Sequence, residues 1–245
     1  MKGNDPVAAY FDSLPETHKL QFRERASGAN FNFQQRLALA CELGGASSGR
    51  LLDCAAGTGE ITCALLKSGR FNHATVVDVS PSMLQSAKEL LSSEIKNAEI
   101  EFVQADIFKF KPSNLRFDLV LCLGLIAHTG RVDVLLPYLK SMLTPGGRII
   151  LQTTLTDHFG TRIVRALSSR RELAQRGYRI SWFSERHIKD ACRHAGLEIL
   201  QKRQHSLGMP FGDRISPSLN FQLEKRLQKW SSRHGADAIY LLGSK

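Results

Sequence analysis

The sequence feature that most constrains the fold is an alternation of short apolar runs with helical patterns, densest over residues 50–152. Such alternation is typical of βαβ units, in which parallel strands are joined by helices that pack on the sheet. We predict strands at 50–54, 74–79, 100–105, 117–122, 148–152, 197–200 and 238–242. The pattern therefore predicts an α/β fold with a doubly wound, mostly parallel sheet of seven strands.

The connecting segments carry helix start and stop signals. Ser80 and Pro81 suit the N-cap and the first position of a helix, and Ser184 suits the N-cap of another. The segment 144–147, Thr-Pro-Gly-Gly, indicates a turn from which the fifth strand starts. Helices are predicted at 60–67, from 81 onward, at 132–142, at 161–176 and at 185–195.

Length and composition indicate one globular domain. The 245 residues suffice for one sizeable core, and 42% hydrophobic with 23% charged residues is ordinary for a folded protein. The five scattered cysteines argue against a disulfide framework or a structural zinc site. Because the sequence shows neither a secretory signal nor a long apolar run, we expect a cytoplasmic protein. The net charge of +10 suits nucleic acid, an anionic membrane or an acidic substrate, and charge alone does not choose among them.

A glycine turn lies between the first predicted strand and the helix after it. Gly57 and Gly59 occupy this turn, and glycine lets a backbone approach a nucleotide cofactor because a side chain would fill the ligand's space. Asp78 ends the second strand about 20 residues further on, where a carboxylate can accept both ribose hydroxyls. A glycine turn alone is also a plain strand-to-helix connection, so the pair is the more specific signal. The loop lacks the full glycine run of nicotinamide dehydrogenases, which fit less well.

The segment 51–60, Leu-Leu-Asp-Cys-Ala-Ala-Gly-Thr-Gly-Glu, together with Asp78, resembles the first motif and the following acidic residue of class I S-adenosylmethionine-dependent methyltransferases, of the small-molecule type. The resemblance continues in order through 104–107, 117–121 and 143–149, and more weakly over 182–199. It implies a Rossmann-like methyltransferase fold, S-adenosylmethionine as the cofactor and no metal. Ala55 stands where the family often has glycine, and we expect binding to tolerate this one methyl group.

The resemblance also implies roles for individual residues. Asp53 would lie beneath the glycine turn near the methionine amino group, although a strand-end aspartate also caps loop amides. Asp106 would receive the adenine amino group while Ile107 packs on the ring, and the alternative for Asp106 is a helix N-cap. Met83 would contact adenine or belong to the core. The expected cofactor-binding residues are Asp53, Ala55, Gly57, Gly59, Asp78, Val79, Met83, Asp106, Ile107 and Cys122.

His128 is the candidate catalytic residue. It follows the fourth strand, at the sheet edge where open α/β folds bind ligands. With an ordinary pKa of about 6.5, a histidine there would take the proton from an acceptor hydroxyl. The alternative is that His128 packs against the cofactor or a loop. Methyl transfer from a sulfonium depends chiefly on alignment and exclusion of water, so a base is not obligatory.

We expect the single domain, residues 1–245, to divide into functional parts. We expect a helical N-terminal lid at 1–45, or helices that merely pack on the sheet edge, followed by a cofactor-binding core at 46–155. Acceptor-side insertions are expected at 156–183 and 207–237, after the fifth and sixth strands. Acceptor contacts should come from these irregular parts, since one fold hosts many substrates.

Three functions are consistent with the sequence. The first is methyl transfer to a small-molecule or carrier-linked metabolite, expected at oxygen. The second is an RNA or other nucleic-acid methyltransferase that uses the basic surface. Nucleic acid is not the expected partner, since residues 122–125 lack the Asn/Asp-Pro-Pro-aromatic signature and no RNA-binding module is recognisable. The third is a binding protein that has lost catalysis, against which the intact glycine turn, Asp78 and Asp106 argue.

The two insertions suggest what the acceptor side contacts. The first is rich in arginine, which predicts contact with an acidic acceptor or else a solvated face. The second has apolar residues at helical spacing beside basic ones, which predicts a helix that covers the core or one that lies on a membrane surface as a peripheral contact. The sequence leaves the oligomeric state open. The arginines are Arg162, Arg165, Arg170, Arg171, Arg176 and Arg179, the apolar residues Leu219, Leu223, Leu227 and Trp230, and the basic ones Lys225, Arg226 and Lys229.

Overall fold

Strands and helices alternate along the chain in the computed structural model, which describes residues 5–14, 26–112, 115–167 and 177–244. The strands are β1 (Gly49–Asp53), β2 (Phe71–Asp78), β3 (Glu99–Gln104), β4 (Phe117–Cys122), β5 (Leu143–Thr154), β6 (Leu197–His205) and β7 (Asp237–Ser244). The helices are α1 (Pro6–Asp12), α2 (Gly28–Gly44), α3 (Glu60–Lys67), α4 (Pro81–Glu94), α5 (Leu125–Thr129), α6 (Val132–Ser141), α7 (Phe159–Leu167), α8 (Glu185–His194), α9 (Gly212–Ile215), α10 (Pro217–Arg226) and α11 (Gln228–His234).

The seven strands form one sheet in the order β3–β2–β1–β4–β5–β7–β6. The pairs from β3 across to β5 are parallel, and β7 runs antiparallel between β5 and β6. The predicted α/β fold with a doubly wound, mostly parallel seven-stranded sheet is confirmed. The carboxyl ends of β1 to β6 lie at one edge of the sheet, which we call the carboxyl edge. Because β7 is antiparallel, it begins there with Asp237, which pairs with Thr154 and His205.

Helices cover both faces of the sheet because successive strand residues point to opposite sides. On one face Leu52, Val120 and Ile149 pack with residues of α6 and α8. On the other face Leu51 and Ile150 pack with residues of α2, α3 and α4. The central strands are therefore apolar on both sides, which is why their sequence signal is continuous rather than alternating.

The predicted helix caps are present. The Ser80 hydroxyl accepts the N–H of Met83 at 3.1 Å, with Pro81 as the first helical residue. The Ser184 hydroxyl accepts the N–H of His187 at 3.1 Å and opens α8.

Some predicted boundaries are wrong. The segment 144–147 does not precede the fifth strand but belongs to it, because β5 already pairs through Leu143 and a register shift against β4 absorbs the extra residues. The sixth strand continues to His205 because β6 is an edge strand whose exposed positions are polar, so the apolar run ends before the pairing does. The helix predicted at 161–176 is observed as α7, and residues 168–176 lie outside the described residues.

Most of the apolar residues that predicted a helix in the second insertion do not face the core. Leu219, Leu227 and Trp230 are 53%, 43% and 50% exposed and Leu223 is partly buried, whereas Asn220 and Glu224 are buried. The predicted single helix is divided at Leu227 into α10 and α11, so the spacing does not form one continuous stripe. The polar side packs inward because Glu224 accepts the backbone N–H of residue 207 at 2.8 Å.

Within the described residues, we find no helix with both the length and the apolar character that a bilayer crossing requires.

Candidate active site

The glycine turn between β1 and α3 forms the centre of the carboxyl edge. Gly57 and Gly59 have φ of +55° and +84°, a region that side chains with a Cβ rarely adopt. Gly59 begins α3, and a Cβ there would lie 3.0 Å from the Ala87 Cβ of α4. A Cβ on Gly57 would meet no atom within 4 Å. Gly59 is thus required by helix packing, whereas Gly57 borders open space that a ligand can fill.

Asp78, at the end of β2, is joined to this turn. Its carboxylate accepts the N–H of Gly57 at 2.9 Å and the N–H of Ser80 at 2.9 Å. Burial raises the pKa of Asp78 above its ordinary value, the backbone hydrogen bonds oppose this shift, and the charge of Asp12 adds to it. The side chain therefore fixes the turn and brings a buried carboxyl group to the ligand side.

Asp53, at the end of β1, lies beneath the turn. It is buried and accepts the Thr62 hydroxyl of α3 at 2.6 Å. Burial raises its pKa to about 6, against the hydrogen bonds from Thr62 and from the N–H of Ala55. Both the capping of a loop amide and a position under the turn are therefore seen for Asp53.

The other expected cofactor residues lie at the same edge with different exposures. Ala55 and Val79 follow β1 and β2 and are partly buried. Asp106 follows β3, where its carboxylate accepts the N–H of Phe108 at 3.0 Å and lies 3.9 Å from the Lys109 ammonium. Three apolar candidates, Met83, Ile107 and Cys122, are buried among other side chains. The carboxylates, the turn and Val79 therefore lie at the carboxyl edge, whereas Met83, Ile107 and Cys122 are buried beside it.

The arrangement fits S-adenosylmethionine. Open space begins at Gly57, where a Cβ would meet no described atom within 4 Å. Asp53, Asp78 and Asp106 follow or end three neighbouring strands at the same edge, and Asp78 contacts Gly57 directly. In the part of the chain that the structure describes, no group of three His, Cys, Asp or Glu residues is arranged to hold a metal ion.

His128 lies in α5, which follows β4. Its Nδ1 is 2.8 Å from the Tyr178 hydroxyl, and its ring packs edge-to-face on Phe11 and Tyr178 at centroid distances of 5.1 and 5.7 Å. Ser181, close in sequence to Tyr178, donates its N–H to the carbonyl of residue 127 at 2.7 Å. The end of the first insertion therefore returns along α5 and holds the histidine ring, a partner that the sequence did not reveal.

Helix α1 contacts both strand ends that flank β1. Asp12 accepts the Ser80 hydroxyl at 2.6 Å beside the end of β2, while Phe11 packs on His128 beyond the end of β4. Because β1 lies between β2 and β4, α1 extends across the side of the sheet from which the glycine turn projects.

A second polar group, which sequence analysis missed, lies between α2 and the carboxyl ends of β5 and β6. We call it the Arg36 cluster. Asp237 accepts the Asn32 amide at 2.7 Å, the Gln152 amide at 3.5 Å and a short hydrogen bond from the Thr154 hydroxyl. The polar end of β5, Gln-Thr-Thr, is the only signal for this cluster in the sequence. Asp237 gives none, because it reaches this edge only through the antiparallel register of β7. Its members are Asn32, Arg36, Gln152, Thr154, His205 and Asp237.

A groove on the opposite edge, lined by Arg50, His73 and Arg116, contains none of the predicted site residues. It lies at the amino ends of the strands, away from the glycine turn.

The sheet order with its antiparallel seventh strand, and the glycine turn joined to an acid at the end of β2, define a Rossmann-like fold of the methyltransferase class. A family model of the methyltransferase domain matches residues 22–202, and the chain belongs to this family. Membership confirms the resemblance to class I S-adenosylmethionine-dependent methyltransferases, and with it the cofactor of that class.

Curated relatives share part of the chain. A ubiquinone/menaquinone biosynthesis C-methyltransferase from Pseudomonas fluorescens is 32% identical over 150 residues, which are 60% of this chain and 57% of the relative. A protein with the same description from Stutzerimonas stutzeri is 31% identical over 148 residues, 59% of this chain and 56% of the relative. The chain thus matches little more than half the length of these relatives.

Solved structures share the fold over nearly the whole chain. A cyclopropane synthase from Mycobacterium tuberculosis superposes with a TM-score of 0.68 at 14% identity, over 98% of this chain and 97% of that one. A magnesium protoporphyrin IX methyltransferase from Synechocystis, determined with bound S-adenosylhomocysteine, gives 0.66 at 15% identity over 98% and 100%. At such identities the likeness concerns the fold alone.

Proposed function

We propose that this chain transfers the methyl group of S-adenosylmethionine to a small-molecule acceptor. The observation that carries the proposal is the open space at Gly57, whose N–H is bound by Asp78 at the carboxyl edge. The family match and the C-methyltransferase relatives support the same reaction class. Neither of these supports the nucleic-acid alternative.

The cofactor would be held by residues of β1, β2 and β3. We assign Asp53 to the methionine side, Asp78 to the ribose hydroxyls and Asp106 to the adenine amino group, as the family resemblance implies. Val79 would line the same site, and the buried Met83, Ile107 and Cys122 would set its shape. When bound, the cofactor supplies a methyl group on a positively charged sulfur, so the protein's task is alignment and exclusion of water.

Calorimetry with S-adenosylmethionine and S-adenosylhomocysteine tests this proposal. We expect both to bind the metal-free chain with 1:1 stoichiometry. A folded chain that binds neither compound would contradict it.

We propose oxygen as the acceptor atom, because of the position of His128. Similarity to C-methyltransferases favours carbon as the second candidate. Either would lose a proton, which a histidine can take. Incubation with S-adenosylmethionine labelled with ¹³C in its methyl group, and with small phenols and enols, distinguishes the two by the carbon chemical shift of the product. A methoxy signal would identify oxygen as the acceptor atom, and the signal of a methyl group bound to carbon would identify carbon instead.

His128 is assigned as the base of this step, with Tyr178 positioning its ring. We expect His128→Ala to lower kcat by about 100-fold while cofactor affinity is retained, the usual scale for losing a general base. Tyr178→Phe removes only the 2.8 Å contact at Nδ1 and should have a smaller effect that changes the pH profile of kcat. Loss of cofactor binding in His128→Ala would instead indicate a packing role.

We assign residues 1–45, within which α1 lies, to a lid, 46–155 to the cofactor core, and 156–183 with 207–237 to acceptor contacts. The lid assignment is supported by the Asp12–Ser80 hydrogen bond, which ties α1 to the cofactor side. Arg162, Arg165 and Arg179 of the first insertion are exposed, while Arg170, Arg171 and Arg176 lie outside the described residues. If they guide an acidic or carrier-linked acceptor, its KM should rise with salt far more than the cofactor's.

The second insertion is proposed as a face for peripheral contact with an anionic membrane. Ile215 of α9 is 81% exposed. Leu219 and Trp230 lie on α10 and α11, which also carry Lys225, Arg226 and Lys229. Exposed apolar residues beside basic ones suit an anionic lipid surface. Co-sedimentation with phosphatidylserine vesicles should be lost in an Ile215→Ser, Trp230→Ser double variant. It should persist in Val134→Ser, which removes an apolar side chain 51% exposed on α6, and equal binding by both variants would contradict the proposal.

We also propose a cytoplasmic location for the protein. The cysteines are free thiols, four of them buried, which suits a reducing compartment.

A further inference from the structure

The Arg36 guanidinium has no hydrogen-bond partner in the described part of the chain, although the charge of Asp237 acts on it. Its Nε is fully enclosed, and no hydrogen bond or ion pair joins the side chain to a described residue. The nearest acid, Asp237, takes its hydrogen bonds from Asn32, Gln152 and Thr154. A guanidinium carries five N–H donors and stays charged in proteins. A buried guanidinium N–H without a hydrogen-bond acceptor is costly, which points to a partner that is not part of the protein.

This guanidinium lies at the acceptor side of the carboxyl edge. A Cβ placed on Gly124, the residue that begins α5, would be 3.8 Å from Arg36 Nη1 and 4.0 Å from Gln152 Oε1. The same short helix carries His128. Arg36 and Gln152 thus meet next to the turn that positions the candidate base.

Two neutral neighbours also have unused hydrogen-bonding atoms. Gln152 is 5% exposed, and its Oε1 has no partner among the described residues. His205 is 2% exposed, and neither of its ring nitrogens has a partner there. Burial lowers the pKa of His205 to about 4, so it stands there as a neutral imidazole with one donor and one acceptor. Half a turn of the Gln152 amide would present N–H donors at the point that Oε1 now occupies. This breaks the 3.5 Å hydrogen bond that the amide donates to Asp237, so only a bound acceptor in that space would favour it.

We propose that Arg36 and Gln152 form a subsite that binds an oxyanion of the methyl acceptor, a carboxylate or a phosphate. The inference rests on the proposed methyl transfer and specifies its substrate class. A guanidinium pairs with two oxygens of either anion in a fixed geometry, which would orient the acceptor relative to α5. The subsite differs from the arginines of the first insertion, which are exposed where they are described.

The test uses the full chain saturated with S-adenosylhomocysteine and three probes: benzoate, phenyl phosphate and benzamide. Binding is followed by heteronuclear NMR, including the Arg36 Nε–H signal. We expect benzoate or phenyl phosphate to bind and to shift that signal, and their relative affinities identify the anion. Arg36→Gln should weaken binding of the preferred anion about tenfold or more, the scale of a charged hydrogen bond. Arg116→Gln, which changes an exposed arginine at the opposite edge, should leave it unchanged.

Gln152→Glu provides a second variant in case Arg36→Gln does not fold. It retains Arg36 but places a carboxylate beside it, so anion binding should again be lost. Benzamide binding as tightly as benzoate, no anion binding to the wild-type chain, or equal anion binding by wild type and variants would each overturn the subsite. Failure of S-adenosylhomocysteine to bind the wild-type chain would instead overturn the proposed function.

Discussion

The cofactor side and the acceptor side of the carboxyl edge differ in how their buried polar groups are satisfied. On the cofactor side, Asp53 and Asp78 both accept hydrogen bonds from the turn or the helix that they support. On the acceptor side, Asn32, Arg36, Gln152 and His205 all have buried atoms without a partner among the described residues. This difference is what we expect if the protein completes the first half by itself and the second half binds the proposed oxyanion. An exception on the cofactor side is the Tyr138 hydroxyl, which is buried and unpartnered.

The largest expected effect tests whether the cofactor side depends on open space at Gly57. Gly57→Val should weaken S-adenosylhomocysteine binding by more than about 100-fold, because the side chain would fill that space. The matched control is Gly69→Val, since Gly69 also has positive φ, +72°, and no atom within 4 Å of a Cβ, but lies at the other end of α3. Both variants should lose similar stability, and calorimetry should show reduced affinity only for Gly57→Val. Wild-type affinity in a folded Gly57→Val variant would remove the cofactor site from this turn.

A smaller effect tests the carboxylate of the cofactor side. Asp78→Asn should reduce cofactor affinity by about 1–3 kcal/mol, because an amide cannot accept two hydroxyls as a carboxylate does. Its counterpart is Asp118→Asn, since Asp118 also accepts a backbone N–H, that of Arg50 at 2.7 Å, but at the amino edge. Affinity measured by calorimetry should fall only for Asp78→Asn. Because burial raises the pKa of Asp78, its carboxylate becomes protonated at a higher pH than that of an ordinary aspartate. On acidification, the affinity of the wild-type chain for the cofactor should therefore begin to fall at that higher pH. Equal losses in both variants would mean that the effect is on the fold.

The last prediction concerns stability rather than affinity and compares one buried acid from each side. Burial raises the pKa of Glu224 to about 7 and that of Asp53 to about 6. Each acid therefore holds its proton to a higher pH in the folded than in the unfolded chain, so the free energy of unfolding falls as pH rises through these values. Glu224→Gln should reduce the fall in the free energy of unfolding by about 1–3 kcal/mol between about pH 4.5 and pH 7. Asp53→Asn should reduce the fall at lower pH.

Urea unfolding at several pH values measures these slopes. Glu198→Gln, which changes an exposed residue, serves as the control and should leave the slope intact. A wild-type chain whose stability rises through this window, or variants with the same slope as wild type, would contradict the prediction.

The sequence alone was sufficient for the fold class and, through the family resemblance, for the cofactor. Strand β4 is apolar on both faces and its bounds were predicted correctly, and the cap at Ser80 acts within three residues. The glycine turn is likewise local, because Gly57, Gly59 and the preceding strand are adjacent in the chain. Local interactions produce local patterns, and these can be recognised without the fold.

Tertiary structure decided the acceptor side. Arg36, Gln152 and Asp237 are separated by long stretches of chain and meet because β7 enters the sheet antiparallel between β5 and β6. In the same way, Tyr178 reaches His128 across 50 residues, and the polar side of α10 faces inward because Glu224 binds the backbone of β6's continuation. Each of these contacts depends on which strand ends and loops become neighbours, and that is a property of the assembled sheet that no short stretch of sequence encodes.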